Sequence, residues 1–189
     1  MSAKSLVATP GQTIGPFFGF ALPYAAGDQL VPPSRRDAVR LTGLVLDGHG
    51  QPVPDAMIEI WQADVDGHLE PRPGSLRRDG YTFTGWGRAS TDNTGRYSFT
   101  TVRPGPTGEG KLAFFAMAIF ARGLSNRLFT RVYLPASPYA IATDRLLGSL
   151  PRDRQRTLIA TEDGNELRFD VRLQGDKETV FLAFPGDAP

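Results

Sequence analysis

The chain has 189 residues, of which 40% are apolar and 22% charged, enough to build one soluble domain around a real hydrophobic core. Its formal net charge of +1 gives no electrostatic basis for binding nucleic acid or an anionic membrane. It contains no cysteine, which excludes disulfides, cysteine-based zinc sites and thiol nucleophiles and is compatible with a cytoplasmic location.

Residues 1–38 carry few periodic signals and read as an irregular N-terminal arm; 39–189 read as a β-sandwich domain. The first residues, MSAKSLVATPGQTIGPFFG, lack an apolar run followed by a small-residue cleavage site, so no signal peptide is expected. From there on, 21 glycines and 16 prolines divide short runs rich in Val, Ile, Phe and Tyr. That punctuation predicts an all-β sandwich or barrel.

Strands are expected at Leu41–Asp47 and Ala56–Ala63, joined through the turn Asp47-Gly-His-Gly50. Glu70–Gly80 reads as a polar surface loop. The turn Asp92-Asn-Thr-Gly95 opens a third strand, Gly95–Val102. Leu112–Ala121 is an unbroken run of ten apolar residues. It is half the roughly 20 a membrane helix needs, and as a strand it should be central or covered on both sides. Arg127–Leu134 follows, then one short helix at 151–160, with Pro151 near its first turn and Ser149 as a candidate cap. In Leu167–Leu173, four apolar residues alternate with Arg168, Asp170 and Arg172, giving one buried and one wet face. Thr179–Phe184 is the last expected strand.

Thr42-Gly-Leu-Val-Leu-Asp runs through a Gly-rich turn into Met57-Ile-Glu-Ile-Trp-Gln-Ala-Asp64. The first half is common among β-sandwich modules; the continuation Glu59-Ile-Trp-Gln-Ala-Asp64 is more specific. So is Gly87-Arg-Ala-Ser-Thr-Asp-Asn-Thr-Gly-Arg-Tyr-Ser-Phe-Thr-Thr-Val-Arg-Pro-Gly-Pro106. Together with Thr9-Pro-Gly-Gln-Thr-Ile-Gly-Pro-Phe17, Ile119-Phe-Ala-Arg-Gly123 and the stretch from Arg168 to Leu182, these segments resemble the intradiol ring-cleaving dioxygenases. The resemblance implies an intradiol-dioxygenase-like β-sandwich and a share in opening catechols with O2 on non-haem Fe(III).

In the catalytic chains of that family the iron is held by two tyrosinates and two histidines, donors that stabilise the ferric state and leave a position for the diol. Carried over motif by motif, the ligand positions fall on Leu69 after Asp66-Gly-His, Thr107 after Pro104-Gly-Pro, and Phe114 and Ala116 in the apolar strand. No metal ligand set is therefore expected in this chain, and the apolar strand should hold core-filling side chains where the ligands would be. The chain has two histidines, His49 and His68, both in Asp-Gly-His turns. A lone exposed His68 is more commonly a loop residue than a ligand.

The resemblance then implies an iron-bearing partner chain, a catechol carrying a ring carboxylate as substrate, and a supporting role for this chain, with no catalytic residue of its own. Thr13, Gly15, Pro16 and Arg122 match the positions that line a substrate pocket in such non-metal chains. A guanidinium suits a carboxylate, although an arginine at a strand end is more commonly solvated or ion-paired. Trp61 reads as core or interface packing, and Arg127 and Arg131 as structural or interfacial. No nucleophile–histidine pair, phosphate loop or dinucleotide fingerprint is present. The competing readings are a non-enzymatic β-sandwich binding module, which would not need the Trp-Gln-Ala-Asp and Phe-Ala-Arg-Gly segments, and a self-sufficient dioxygenase, which the missing ligands oppose.

Overall fold

The computed structural model describes residues 17–69 and 78–184. Among them, nine strands occur in chain order: β1 (Ala38–Leu46), β2 (Met57–Trp61), β3 (Trp86–Ser90), β4 (Arg96–Val102), β5 (Phe114–Phe120), β6 (Leu128–Tyr133), β7 (Thr161–Asp163), β8 (Glu166–Arg168) and β9 (Val171–Arg172). The helices are short: α1 (Phe17–Ala21), α2 (Pro138–Thr143) and α3 (Arg152–Gln155). None is long and apolar enough to cross a membrane.

One sheet runs β4-β1-β8-β7, with β9 also paired to β1; the other runs β3-β2-β5-β6, antiparallel throughout. Alternation decides what lies between them. Leu41, Val45, Tyr97, Phe99, Leu167 and Phe169 come from the first sheet and meet Ile58, Ile60, Phe115, Met117, Ile119 and Val132 from the second in one core. Each such side chain contributes about 1.5–3 kcal/mol by leaving water. The two turns read from sequence form as expected. Asp47 and Asp92 each accept backbone N–H groups two and four residues on, and Gly50 and Gly95 take the positive φ those turns require.

Several expectations are corrected. Leu167–Leu173 is not one strand: it breaks between β8 and β9, where the Asp170 carboxylate accepts the Leu44 N–H (3.0 Å) and the Phe169 carbonyl accepts the Tyr97 hydroxyl (2.6 Å). Side chains there replace ladder partners. Thr179–Phe184 forms only an isolated bridge, Phe129 to Leu182. The helix expected at 151–160 is one α-turn, α3, continued by a 3-10 turn at Arg156–Leu158. Ser149 does not cap it; its hydroxyl donates to the Leu146 carbonyl in a preceding 3-10 turn. Several elements were not anticipated: α1, β7, the 3-10 turn at Leu147–Ser149, β3, whose Trp-Gly-Arg-Ala-Ser pattern is weak by itself, and α2, capped by the Ser137 hydroxyl accepting the Ala140 N–H (3.2 Å).

Candidate functional site

The chemistry-bearing positions gather on the outer face of the β3-β2-β5-β6 sheet and on two loops at its end. Strand register lines up Trp86, Trp61, Ala116 and Arg131 as one row across all four strands. The next row is Arg88, Glu59, Ala118 and Phe129. Phe114 and Tyr133 pair beyond the first row, with ring centroids 5.5 Å apart. Their end of the sheet is covered by a second apolar cluster, in which Leu147, Leu158, Ile141 and Leu146 pack with Tyr133.

Next to that covered end the sheet carries a groove of about 290 Å³. Ala116 and Ala118 form its floor, and Trp61, Trp86, Phe114, Phe129 and Phe184 supply its apolar walls. Here the sequence reading needs correction. Only alternate residues of β5 (Phe115, Met117 and Ile119) are core; Phe114, Ala116, Ala118 and Phe120 are half-buried on the other face. The positions carried over as ligand slots are thus groove wall and groove floor rather than core filling. Trp61 is 53% exposed, which removes core packing from the two alternatives read in the sequence.

Two of the walls, Trp86 and Phe114, are anchored by their neighbours. Trp86 stacks on Tyr24 at an interplanar angle of 5° and lies 5.0 Å from the Arg88 guanidinium. Arg78 donates to the Trp86 carbonyl, to the Thr84 hydroxyl and to the Gly27 carbonyl, tying that strand end to the N-terminal segment. Arg88 binds Glu59 across the strands at 2.6 and 2.9 Å and also donates to the Leu22 carbonyl. Arg131 lies over the Phe114 ring at 4.3 Å and donates to the Tyr133 hydroxyl at 3.1 Å. Burial pushes the Tyr133 phenol above the ordinary tyrosine value, against the opposing pull of Arg131.

Leu69 and Thr107 lie on two loops that run side by side at the same end of the sheet. Asp64 organises the first: its carboxylate accepts the N–H groups of Asp66 and His68, and Gly67 takes φ +85°. The Gly105 N–H donates to the Asp64 carbonyl at 2.7 Å and joins the loops. Behind them, Gln62 is 2% exposed. Its amide donates to the Ala63 and Val102 carbonyls, and its oxygen accepts the Thr101 hydroxyl. Gln62 carried no local signal in the sequence, because its burial and its partners Val102 and Thr101 come from a distant strand.

Leu69, Phe114 and Ala116 have no lone pair to offer a metal, and Thr107 has one neutral hydroxyl. This donor set does not fit ferric iron. Asp64, Asp66 and His68 bring three ligand-type atoms within 4.8 Å of one another. One Asp64 oxygen is committed to backbone N–H groups, and His68 is 77% exposed. That arrangement is explained as a turn.

Of the substrate-lining candidates, Thr13, Gly15 and Pro16 lie outside the described residues. Arg122 follows β5 and pairs with Asp55, whose carboxylate raises the arginine pKa above its ordinary value. Asp55 adopts φ +60°, and Gly19 of α1 packs so closely that a methyl there would lie 2.6 Å from the Asp55 carbonyl oxygen. Thus α1, which starts directly after Pro16, abuts the residue that holds Arg122.

The profile of the Dioxygenase family, Dioxygenase_C, matches residues 32–175. The protocatechuate 3,4-dioxygenase alpha chain of Burkholderia cepacia is 34% identical over 195 residues, an alignment covering 94% of this chain and 98% of that one. The beta chain from the same organism is 33% identical over 161 residues, covering 76% of this chain and 67% of its own length. Among solved structures, an intradiol ring-cleavage dioxygenase from Tetranychus urticae superposes with a TM-score of 0.58 at 18% identity, over 89% of this chain and 94% of that one, which shows the shared sandwich. The profile match and the near full-length likeness to an alpha chain together establish that this chain belongs to the dioxygenase family.

Proposed function

We propose that this chain is the non-iron alpha subunit of a protocatechuate 3,4-dioxygenase, a hetero-oligomer that cleaves protocatechuate with O2 to 3-carboxy-cis,cis-muconate in the cytoplasm. The observation that carries this reading is the pairing of near full-length likeness to an alpha chain with carried-over ligand positions that hold Leu69, Thr107, Phe114 and Ala116. In this reading Fe(III) belongs to the beta chain, and no step at the metal is assigned to residues of this chain.

Its contribution is a pocket wall and the contacts of assembly. Arg122, although paired with Asp55, is 56% exposed and keeps guanidinium donors beyond that pair for a ring carboxylate. Thr13 offers a hydroxyl, Gly15 permits close backbone approach and Pro16 stiffens the segment. The packing of α1 against Asp55 supports this grouping, because it places the chain just beyond Pro16 beside the ion-pair partner of Arg122. Phe20 is 85% exposed and suits burial in a partner interface.

The test is a metal count with an optical spectrum. The purified chain alone should hold no stoichiometric iron, show no tyrosinate-to-iron colour and lack ring-cleaving activity. Co-expression with a beta chain should give a coloured, active complex with its iron on the beta chain. An iron-loaded, active lone chain would overturn the proposal.

A further inference from the structure

We infer that the cavity between α3, the strands β8 and β9 and the turn at 175–179 is a binding site for a compact phosphate polyanion, a molecule carrying two or more linked phosphate groups. It shares no lining residue with the groove over Ala116, and Arg122 is not part of it.

Hydrogen bonds build the cavity. The Glu178 N–H donates to the Gly175 carbonyl at 2.9 Å and closes a turn that carries Asp176 and Lys177. Thr179, which is buried, fastens that turn to β9: its hydroxyl accepts the Arg172 N–H and its own N–H donates to the Arg172 carbonyl, both at 3.0 Å. On the other side Arg154 of α3 donates to the Glu178 carbonyl at 2.7 Å, and the Thr157 hydroxyl accepts the Val180 N–H at 3.2 Å. The turn is thus tied to two elements, and a cavity of about 630 Å³ lies between them. That volume falls inside the roughly 300–1,000 Å³ of small-molecule sites and exceeds what one inorganic phosphate fills. Because these bonds hold the walls before a ligand arrives, little backbone ordering opposes binding.

Charge then selects the ligand. The lining carries Arg154, Arg156, Arg168, Arg172 and Lys177 against Asp153, Asp170 and Asp176: five cations and three carboxylates, an excess of two positive charges in a chain whose total is +1. Asp170 is already engaged by the Leu44 N–H at 3.0 Å and by Arg168 at 3.2 Å. The other four cations have no carboxylate within 4.0 Å among the described residues, and they outnumber Asp153 and Asp176 two to one. They come from three walls: Arg154 and Arg156 from the helical turn, Arg172 from β9, and Lys177 from the 175–179 turn. A carboxylate has two coplanar oxygens, which a single guanidinium fork can fill. A phosphate group brings three acceptor oxygens and about 1.5–2 negative charges, so different walls can meet it at once, arginine with a planar fork and lysine as a point charge. Two or three linked phosphates match cations spread around a cavity of this size better than one does.

Calorimetric titration of the full-length chain in metal-free buffer tests the inference. At about 0.15 M salt, charges more than about 8 Å apart are largely screened, so scattered surface arginines contribute little and a convergent site stands out. Tripolyphosphate should bind saturably, one molecule per chain. Orthophosphate, and citrate with its charge on carboxylates, should each bind at least roughly tenfold more weakly. Pyrophosphate and ADP distinguish the sources: tighter binding of ADP assigns the site to a nucleotide, equal or weaker binding to an inorganic polyphosphate, and both uphold the inference. Arg156 and Lys177 are exposed and make no side-chain hydrogen bond among the described residues. Arg156→Gln combined with Lys177→Gln should weaken tripolyphosphate at least roughly tenfold. Arg36→Gln combined with Arg145→Gln removes the same charge from exposed positions outside the cavity and should leave the affinity within about twofold. Should the first double variant not fold, Lys177→Gln alone and the wild-type ligand series decide. No saturable binding, citrate binding as tightly as tripolyphosphate, or equal losses in the two double variants would each overturn the inference. No beta chain and no iron takes part, so failure here leaves the proposed subunit role untouched.

Discussion

Replacing Gln62 by leucine tests the account of how the two loops at the sheet end are held together. The side chain is 2% exposed and makes three hydrogen bonds: to the Ala63 carbonyl at 3.1 Å, to the Val102 carbonyl at 2.9 Å, and from the Thr101 hydroxyl. Leucine has nearly the same volume, so no large cavity opens, and the loss is polar. Each bond contributes about 1 kcal/mol net, and the buried groups left behind add their own desolvation cost, so a loss of about 3 kcal/mol is expected. For a chain of this size that is a fall of roughly 6–12 °C in Tm. Denaturant melts of wild type and Gln62→Leu, with m unchanged, measure it. The loops carrying Leu69 and Thr107 should also lose protection from hydrogen exchange before the strands do. A destabilisation below about 0.5 kcal/mol would refute the claim that this amide clasps the loops, because surface substitutions alone fall in that range.

Two further outcomes follow from particular side chains. Tyr97 is fully buried and donates to the Phe169 carbonyl, and burial together with the Asp170 carboxylate holds its phenol well above the ordinary value of 10.0. The folded state keeps this proton when the unfolded chain has released it, so stability is intact below pH 10 and falls as pH rises above it. Tyr97→Phe should lose about 1–3 kcal/mol at neutral pH yet show a shallower decline above pH 10, by up to about 1.4 kcal/mol per pH unit; parallel declines for both proteins would contradict the assignment. In an assembled enzyme, Arg122→Ala should reduce kcat/KM for protocatechuate roughly tenfold more than for catechol, which lacks the ring carboxylate. Equal losses on the two substrates would remove Arg122 from carboxylate recognition.

Much of this protein is legible in the residue order because the signals involved are local. Short apolar runs between glycine and proline punctuation mark strands at Leu41–Asp47, Gly95–Val102 and Arg127–Leu134, and Asp-x-x-Gly turns bound the first two through side-chain-to-backbone bonds that span only four residues. The side chains at 69, 107, 114 and 116, where the resemblance places the ligand positions, are also read from sequence alone, since neither folding nor packing gives phenylalanine or alanine a lone pair. Those local features point to an all-β sandwich or barrel and to apolar or neutral side chains at the four carried-over ligand positions.

Register and packing decide the rest, because they couple residues far apart in the chain. Nothing local tells that Trp61 and Trp86 stand opposite each other, or that Ala116 separates them from Arg131. An unbroken apolar run cannot show that one of its faces is core and the other a groove, since the difference is made by Leu147 and Leu158 covering one end of the sheet and leaving the other uncovered. Side-chain bonds from Asp170 and Tyr97 break the strand that alternation draws from 167 to 173, and those partners come from β1 and β4. Composition and spacing therefore point to the sandwich, whereas the groove, the Arg131 guanidinium over Phe114 and the Gln62 clasp exist only once distant strands are paired.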